Sequence, residues 1–262
     1  MDELRLIGIQ THYSLRALFR TPRAVVFSVI FPPLLVIIFN SIFKSSGSGN
    51  DTVQFAGTTL SNQSYFTAGI MAYAITLSSF STLAITLTTQ RETGQLKRYR
   101  GTPVPAWTFI AALVVRSIAV MCLTVSATLV AGAAYGASIG TEGVVGLVVY
   151  AVLGTATMCA LGIALTAVTP TAEAASALAP FSAVLLSFIS GVFVPIDQIG
   201  TTLADVGRIF PLAHLAEGLQ LSFAGPGTGL TAGNVGALVV WALAAIVIAA
   251  RRFRWEPQTA KG

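Results

Sequence analysis

Charge is what this sequence has least of. Only 10% of its 262 residues are Asp, Glu, Lys or Arg, against about a quarter in soluble globular proteins. With 54% hydrophobic residues, a soluble core of this length could not hide the apolar surface, so lipid must solvate part of the chain. Acidic residues are scarcer than basic ones, 10 against 15, for a formal charge of +5. That excess does not mark a nucleic-acid partner, because the basic residues flank apolar runs and form no polar domain. Cysteine is nearly absent. Cys122 and Cys159 each lie inside an apolar run, which leaves no disulfide framework and no metal spacing. There is no G-x-x-x-x-G-K-[ST] phosphate loop, so ATP binding by that motif is excluded for this chain. No acidic residue interrupts an apolar run, which argues against a proton relay. Internal repeats of the secondary-transporter kind are missing too. The first apolar run lacks a small-residue cleavage site before Lys44, so it is expected to remain as a span.

What is there is six apolar stretches, each near the roughly 20 residues that cross a hydrocarbon core. They cover residues 24–43, 66–89, 107–135, 144–168, 177–195 and 235–250. The expected fold is all-α and integral to the membrane, one transmembrane domain over residues 1–262. Arg5, Arg16, Arg20 and Arg23 precede the first stretch; Arg91, Lys97, Arg98 and Arg100 follow the second; Arg251, Arg252, Arg254 and Lys261 follow the sixth. The other side has only Lys44 and Arg208. This asymmetry places both termini in the cytoplasm. Residues 1–23 read as an interfacial helix, with Leu4, Ile7, Leu15, Leu18 and Phe19 opposed to Arg5, Arg16 and Arg20. Residues 196–233 form a long outer excursion. In it Pro211 opens a segment with Leu212, Leu215 and Leu219 at helical spacing and His214, Glu217 and Gln220 at polar positions, read as an amphipathic or re-entrant element.

The most informative segment is the cytoplasmic loop at residues 91–103. Leu96 and Tyr99 are three apart and could share one face of a short helix, which Thr102-Pro103 would end. Such a helix could press an apolar knob and the Glu92 carboxylate into a partner protein. A plain positive-inside anchor would account for the arginines but not for Glu92, Gly94, Leu96 and the Thr-Pro stop.

The loop resembles the E-x-G-x-L…T-P pattern that follows the second span of type-2 ABC exporter permeases, in the drug- and polysaccharide-export branches. Arg20-Thr21-Pro22-Arg23 with Phe31-Pro32-Pro33 resembles the family's approach to its first span. Thr171-Ala172-Glu173-Ala174-Ala175 resembles its short inner loop. Ser190 to Pro195, then Ile209-Phe210-Pro211-Leu212, resembles its outer end of span five and re-entrant helix. Together these cover nearly the whole chain in the expected order. One departure is Gln90, where many members carry a second acidic residue.

The resemblance implies a prokaryotic plasma-membrane permease subunit that exports a hydrophobic or amphipathic compound, a drug, antibiotic or lipid. ATP and Mg would sit on a separate ABC ATP-binding subunit, and this chain would hold no cofactor. It implies a second copy or a homologous permease as a further partner. Arg91, Glu92, Gly94, Leu96, Tyr99, Thr102 and Pro103 would belong to a coupling helix, with Glu92 paired to a basic residue of the ATPase. It also points to spans two and five as the substrate path. Tyr73 and Phe80, and Phe181 and Phe188, are each seven apart and share a helix face; they suit an aromatic cargo or, alternatively, packing and lipid contact. Export of a lipid-linked polysaccharide is the alternative cargo reading.

Arg116 is the one charge well within a span, about 15 Å along its helix. It is expected either near the cytoplasmic boundary or in an interhelix pair with Glu173. Two readings of other classes remain at this point: an intramembrane hydrolase using Ser190 and His214, and a scaffold that docks a soluble partner without transport.

Overall fold

The computed structural model describes residues 3–45, 52–55, 57–101, 105–195 and 200–252. Helix α1 (Glu3–Phe19) is followed by α2 (Pro22–Val25), where Pro22 takes the first helical position that lacks an intrahelical acceptor in any case. A π-helical turn, Val26–Ile30, then leads into α3 (Phe31–Ser45). The cause is local. Pro32 and Pro33 supply no N–H and their rings crowd the preceding turn, so the backbone widens there. The Ser28 carbonyl accepts instead from Thr124 Oγ1 at 3.1 Å.

A short antiparallel hairpin, β1 (Thr52–Phe55) with β2 (Thr58–Ser61), closes the far end of the first span. The apolar count did not reveal it. Ser61 then caps α4 (Asn62–Ile75), its Oγ accepting from Ser64 N at 3.3 Å. A second π-helical turn, Thr76–Ser81, joins α4 to α5 (Thr82–Glu92), making one continuous span of 31 residues. Hydroxyls explain that turn as well: Thr76 Oγ1 donates to Ala72 O at 2.9 Å and Thr82 Oγ1 to Leu77 O at 3.0 Å, competing with the ladder.

The remaining elements are α6 (Gln95–Arg100), α7 (Ala106–Ala133), α8 (Thr141–Thr166), α9 (Ala172–Ile189), α10 (Thr201–Ile209), α11 (Pro211–Ser222) and α12 (Ala232–Arg252). Six helical spans are long and apolar enough to cross a membrane: Val26–Lys44, Asn62–Glu92, Trp107–Ala133, Thr141–Thr166, Ala172–Ile189 and Ala232–Arg252. They match the six stretches in order, and the all-α membrane fold stands. The second and sixth run longer than expected, because polar residues at their ends continue the helix.

Span two is the centre of the bundle. Every residue from Ser64 to Thr76 is buried, and the main core joins Tyr65, Ile70 and Met71 to Tyr150 on α8 and Leu212, Leu215 and Leu219 on α11. Helix α11 therefore sits inward, packed on α4, α8 and α12. Two of its polar side chains are met within the chain: His214 bonds Asn234, and Gln220 Nε2 donates to Gly191 O at 3.0 Å, a carbonyl that also accepts from Tyr65 OH at 2.6 Å. Gly191, at φ 75°, turns that carbonyl inward at the end of α9. By contrast α3, α9 and α12 leave apolar faces uncovered, as lipid-facing spans do.

Candidate functional site

The charged loop is tied into the bundle through its first two residues. Arg91 lies in the last turn of α5 and is almost completely buried, with 1% of its surface exposed. Its guanidinium donates to Thr166 O at 2.7 Å, Thr169 O at 2.5 Å and Pro170 O at 3.1 Å. Those carbonyls lie at the C-terminal end of α8 and just beyond, where no intrahelical donor remains and where the helix dipole favours a cation. Glu92 closes the complementary contact. Its Oε1 accepts from Ala172 N at 2.8 Å, at the start of α9, where free N–H groups favour an anion. One basic and one acidic residue thus fasten the end of span two to the turn between spans four and five.

Gly94 makes the turn from α5 into α6. It lies at φ 69°, a left-handed conformation that side chains resist, so a glycine is required there. Helix α6 turns its apolar pair toward its own chain. Leu96 has no exposed surface and joins Leu83, Leu87, Phe109, Leu113, Cys159 and Ile163 in a separate cluster. Tyr99 packs on Phe109 with ring centroids 4.8 Å apart. The expectation that Leu96 and Tyr99 form a knob for a partner is thereby corrected: at a bundle end already rich in apolar residues, they find cover within the chain. Gln95, Lys97 and Arg98 are exposed. Thr102 and Pro103 lie outside the described residues.

Arg116 and Glu173 do not meet. Among the described residues the only ion pair is Asp205 with Arg208, at 3.7 Å. Glu173 is exposed in the first turn of α9, where the helix N-terminus favours its charge. Arg116 is buried at 8% exposure beside Cys159, and no hydrogen bond from its guanidinium is found among the described residues.

The four aromatics named for a path are divided by the fold. Tyr73 is buried in the core and touches Phe193 edge-on at 5.4 Å; Phe188 reaches the same ring at 5.2 Å. Phe193, which spacing did not single out, is the residue that joins spans two and five and also stacks on Phe39. Phe80 lies beyond Tyr73 within the π-helical turn, where the wider winding upsets a seven-residue face, and its backbone abuts Gly162. Phe181 stays 66% exposed.

Ser190 and His214 form no nucleophile–base pair in this arrangement. Ser190 Oγ is buried with no hydrogen-bond partner among the described residues, and His214 Nδ1 bonds Asn234 Oδ1 at 2.9 Å.

A family model described as "ABC-2 type transporter" matches residues 5–223, which takes in every element from α1 to the end of α11. No curated protein matches the chain.

Proposed function

This chain belongs to the ABC-2 type transporter family, and we propose that it is the permease subunit of an exporter energised by a separate ATP-binding subunit. Membership supports a transport component that is not itself catalytic, an ATP-binding partner and pairing of permeases. The cargo of this reading is hydrophobic or amphipathic, a drug, antibiotic or lipid, because Glu92, Glu142 and Glu173 lie at span ends and no acidic residue lies deep within a span to escort a small charged solute. Export of a lipid-linked polysaccharide is the second cargo reading. The membrane would be a prokaryotic plasma membrane with the charged loop and both termini in the cytoplasm, an orientation that the Lys/Arg asymmetry supports. ATP and Mg would be held by the partner.

The observation that carries this reading is the build of α6. It is held from inside by Leu96 and Tyr99, fastened at its root by Arg91 and Glu92, and presents Gln95, Lys97 and Arg98 outward. A helix anchored this firmly on one side and bare on the other is suited to receive a push. The partner groove should be acidic to suit Lys97 and Arg98.

Co-expression with the neighbouring reading frame, if it encodes a soluble ABC ATPase, tests it. Lys97→Glu with Arg98→Glu should lower recovery of the complex at least tenfold at low salt, with the melting temperature of the isolated permease unchanged. Full recovery and unaltered ATPase stimulation in that variant would sink the reading.

A further inference from the structure

Helix α10 carries the one ion pair found among the described residues, and the helices around it fix its depth. Trp241 Nε1 donates to Ile209 O at 3.0 Å, which fastens the last residue of α10 to α12. Trp241 stands near the middle of α12, about 13 Å along the axis from Ala232. Helix α11 gives a similar depth from the other side. It packs Leu215 on Gly154, Gly218 on Tyr150 and Ser222 on Gly143 of α8, so it climbs toward Thr141 as the chain advances. Gly154 is about 20 Å along α8 from Thr141, and Pro211 lies one turn deeper than Leu215. With α8 and α12 crossing a hydrocarbon layer about 30 Å thick, the Phe210-Pro211 turn lies well inside it. Asp205 and Arg208 are within about 6 Å of Ile209 along α10, which keeps both inside the layer too.

At that depth the pair is uncovered. Ala204 and Gly207 are buried, with Gly207 seated on the Ile189 carbonyl. Thr201, Asp205 and Arg208, four and then three residues apart, form the opposite face and are exposed. Asp205 and Arg208 lie 3.7 Å apart with 75% and 57% of their side chains exposed. In water such a pair would be worth little. Turned toward lipid it would be costly, and charges at this depth ordinarily face other protein or a water-filled cavity. Something polar therefore covers this face in the membrane. The arrangement of charge says what fits. The two signs flank one line along the helix, Asp205 on one side and Arg208 on the other. Two copies inserted in the same direction are related by a twofold axis along the membrane normal, so their α10 helices run parallel. A residue to one side of the line on one copy then meets the residue to the other side on its mate. Each Asp205 meets an Arg208, twice, and the exposed Val206 and Ile209 give the contact apolar borders.

We propose that α10 is a contact between two copies of this chain, closed within the membrane by reciprocal Asp205–Arg208 pairs. It rests on the permease reading and deepens it by naming a face through which permeases pair. A face complementary to itself also selects two identical copies over two homologous ones. The test of pairing does not require the ATPase.

Two differently tagged copies of the full chain are co-expressed, extracted in a neutral maltoside detergent and recovered through one tag. Asp205→Arg leaves two cations on the face, and Arg208→Asp leaves two anions. Either variant co-expressed with itself should bring down the second tag at least fivefold less than the parent does. Asp205→Arg co-expressed with Arg208→Asp should bring it down to within twofold of the parent, which a pair confined to one chain cannot do. Self-recovery within twofold of the parent in either variant would turn the pair toward a water-filled cavity and overturn the proposal. So would a mixed pair that shows no rescue. Should a variant fail to fold, the test becomes Thr201→Cys on the same face, with the exposed Cys122 replaced by serine. Oxidised in intact membranes with copper phenanthroline, that chain should form a disulfide-linked dimer, and its absence overturns the proposal. Copies that pair through α10 but recruit no ATPase would defeat the permease reading alone; copies that recruit one without this pairing would defeat the contact alone.

Discussion

Replacing Arg91 with alanine tests whether the root of the charged loop holds the bundle together. The guanidinium is buried and spans three carbonyls, two of them within 2.7 Å. Hydrogen bonds to a charged group contribute about 1.5–3 kcal/mol each, which sets a ceiling of about 4.5–9 kcal/mol for three of them. The three share one side chain, and removal opens a space that water from the nearby loop can enter. The net cost should therefore fall at about 3–5 kcal/mol, the range found when one partner of a buried charged contact is removed. For a chain of this size each kcal/mol corresponds to about 2–4 °C, so the melting temperature should drop by roughly 6–20 °C. The assay is thermal unfolding of the purified chain in detergent, read by loss of the monodisperse peak in size exclusion. Arg91→Lys keeps the charge but loses the planar fork, so it should fall between the two. Arg98→Ala, at an exposed neighbour on α6, is the control and should shift stability by under about 0.5 kcal/mol. A melting temperature for Arg91→Ala within 2 °C of the parent, about the smallest shift one kcal/mol produces, would mean that water serves those carbonyls and that the clamp holds nothing.

Three further substitutions probe the same framework. Glu92→Ala removes the acceptor at Ala172 N and should cost about 1 kcal/mol, as N-terminal capping losses do; Glu92→Gln keeps an acceptor oxygen and should cost less in the same melt. Leu96→Ala empties a fully buried position and should cost about 2–5 kcal/mol, whereas a loss under 0.5 kcal/mol, the scale of a surface change, would place Leu96 on a partner surface after all. Gly162→Ala puts a methyl group 2.7 Å from the Phe80 carbonyl, so it must push α8 off the π-helical turn and should cost about 1–3 kcal/mol in thermal unfolding.

The spans were readable because lipid imposes a length and a composition that few other environments require. The order of the six helices and the broken approach to the first span follow from runs of apolar residues and from Pro22, Pro32 and Pro33. The hairpin at 52–61 was not readable: it is short, polar and set by pairing with a turn, not by any long run. The direction in which the loop faces was hidden for a different reason. Spacing puts Leu96 and Tyr99 on one face, but only the position of Phe109 and Leu113 on α7 decides whether that face is covered from within. The sequence reads Arg91 as an anchor charge and, by resemblance, as part of the coupling helix, but not as a clamp, because its acceptors are carbonyls 75 or more residues away and carbonyls leave no mark on a sequence. A signal was present nonetheless: a basic and an acidic residue side by side at a helix end, facing a Thr-Pro-Thr turn between two spans.

The same contacts restrict where a change of state can arise. A ligand or partner shifts an equilibrium only through contacts that differ in free energy between the two states. Leu96 is closed off, Arg91 satisfies the end of α8, and Glu92 holds the start of α9. Opening any of these would strand a buried charge or bare an apolar side chain, so a motion that keeps them intact is the cheaper one. Helix α6, the end of α5 and the turn into α9 must then move as one piece, turning about the parts of the spans that are less tightly wound. In span two that part is the Thr76–Ser81 turn, where hydroxyls already replace part of the helical ladder. On the permease reading proposed above, the clamp would be the lever, and the state-dependent contacts would lie outside it: at the bare Lys97 and Arg98 face on one side and above the π-helical turn on the other.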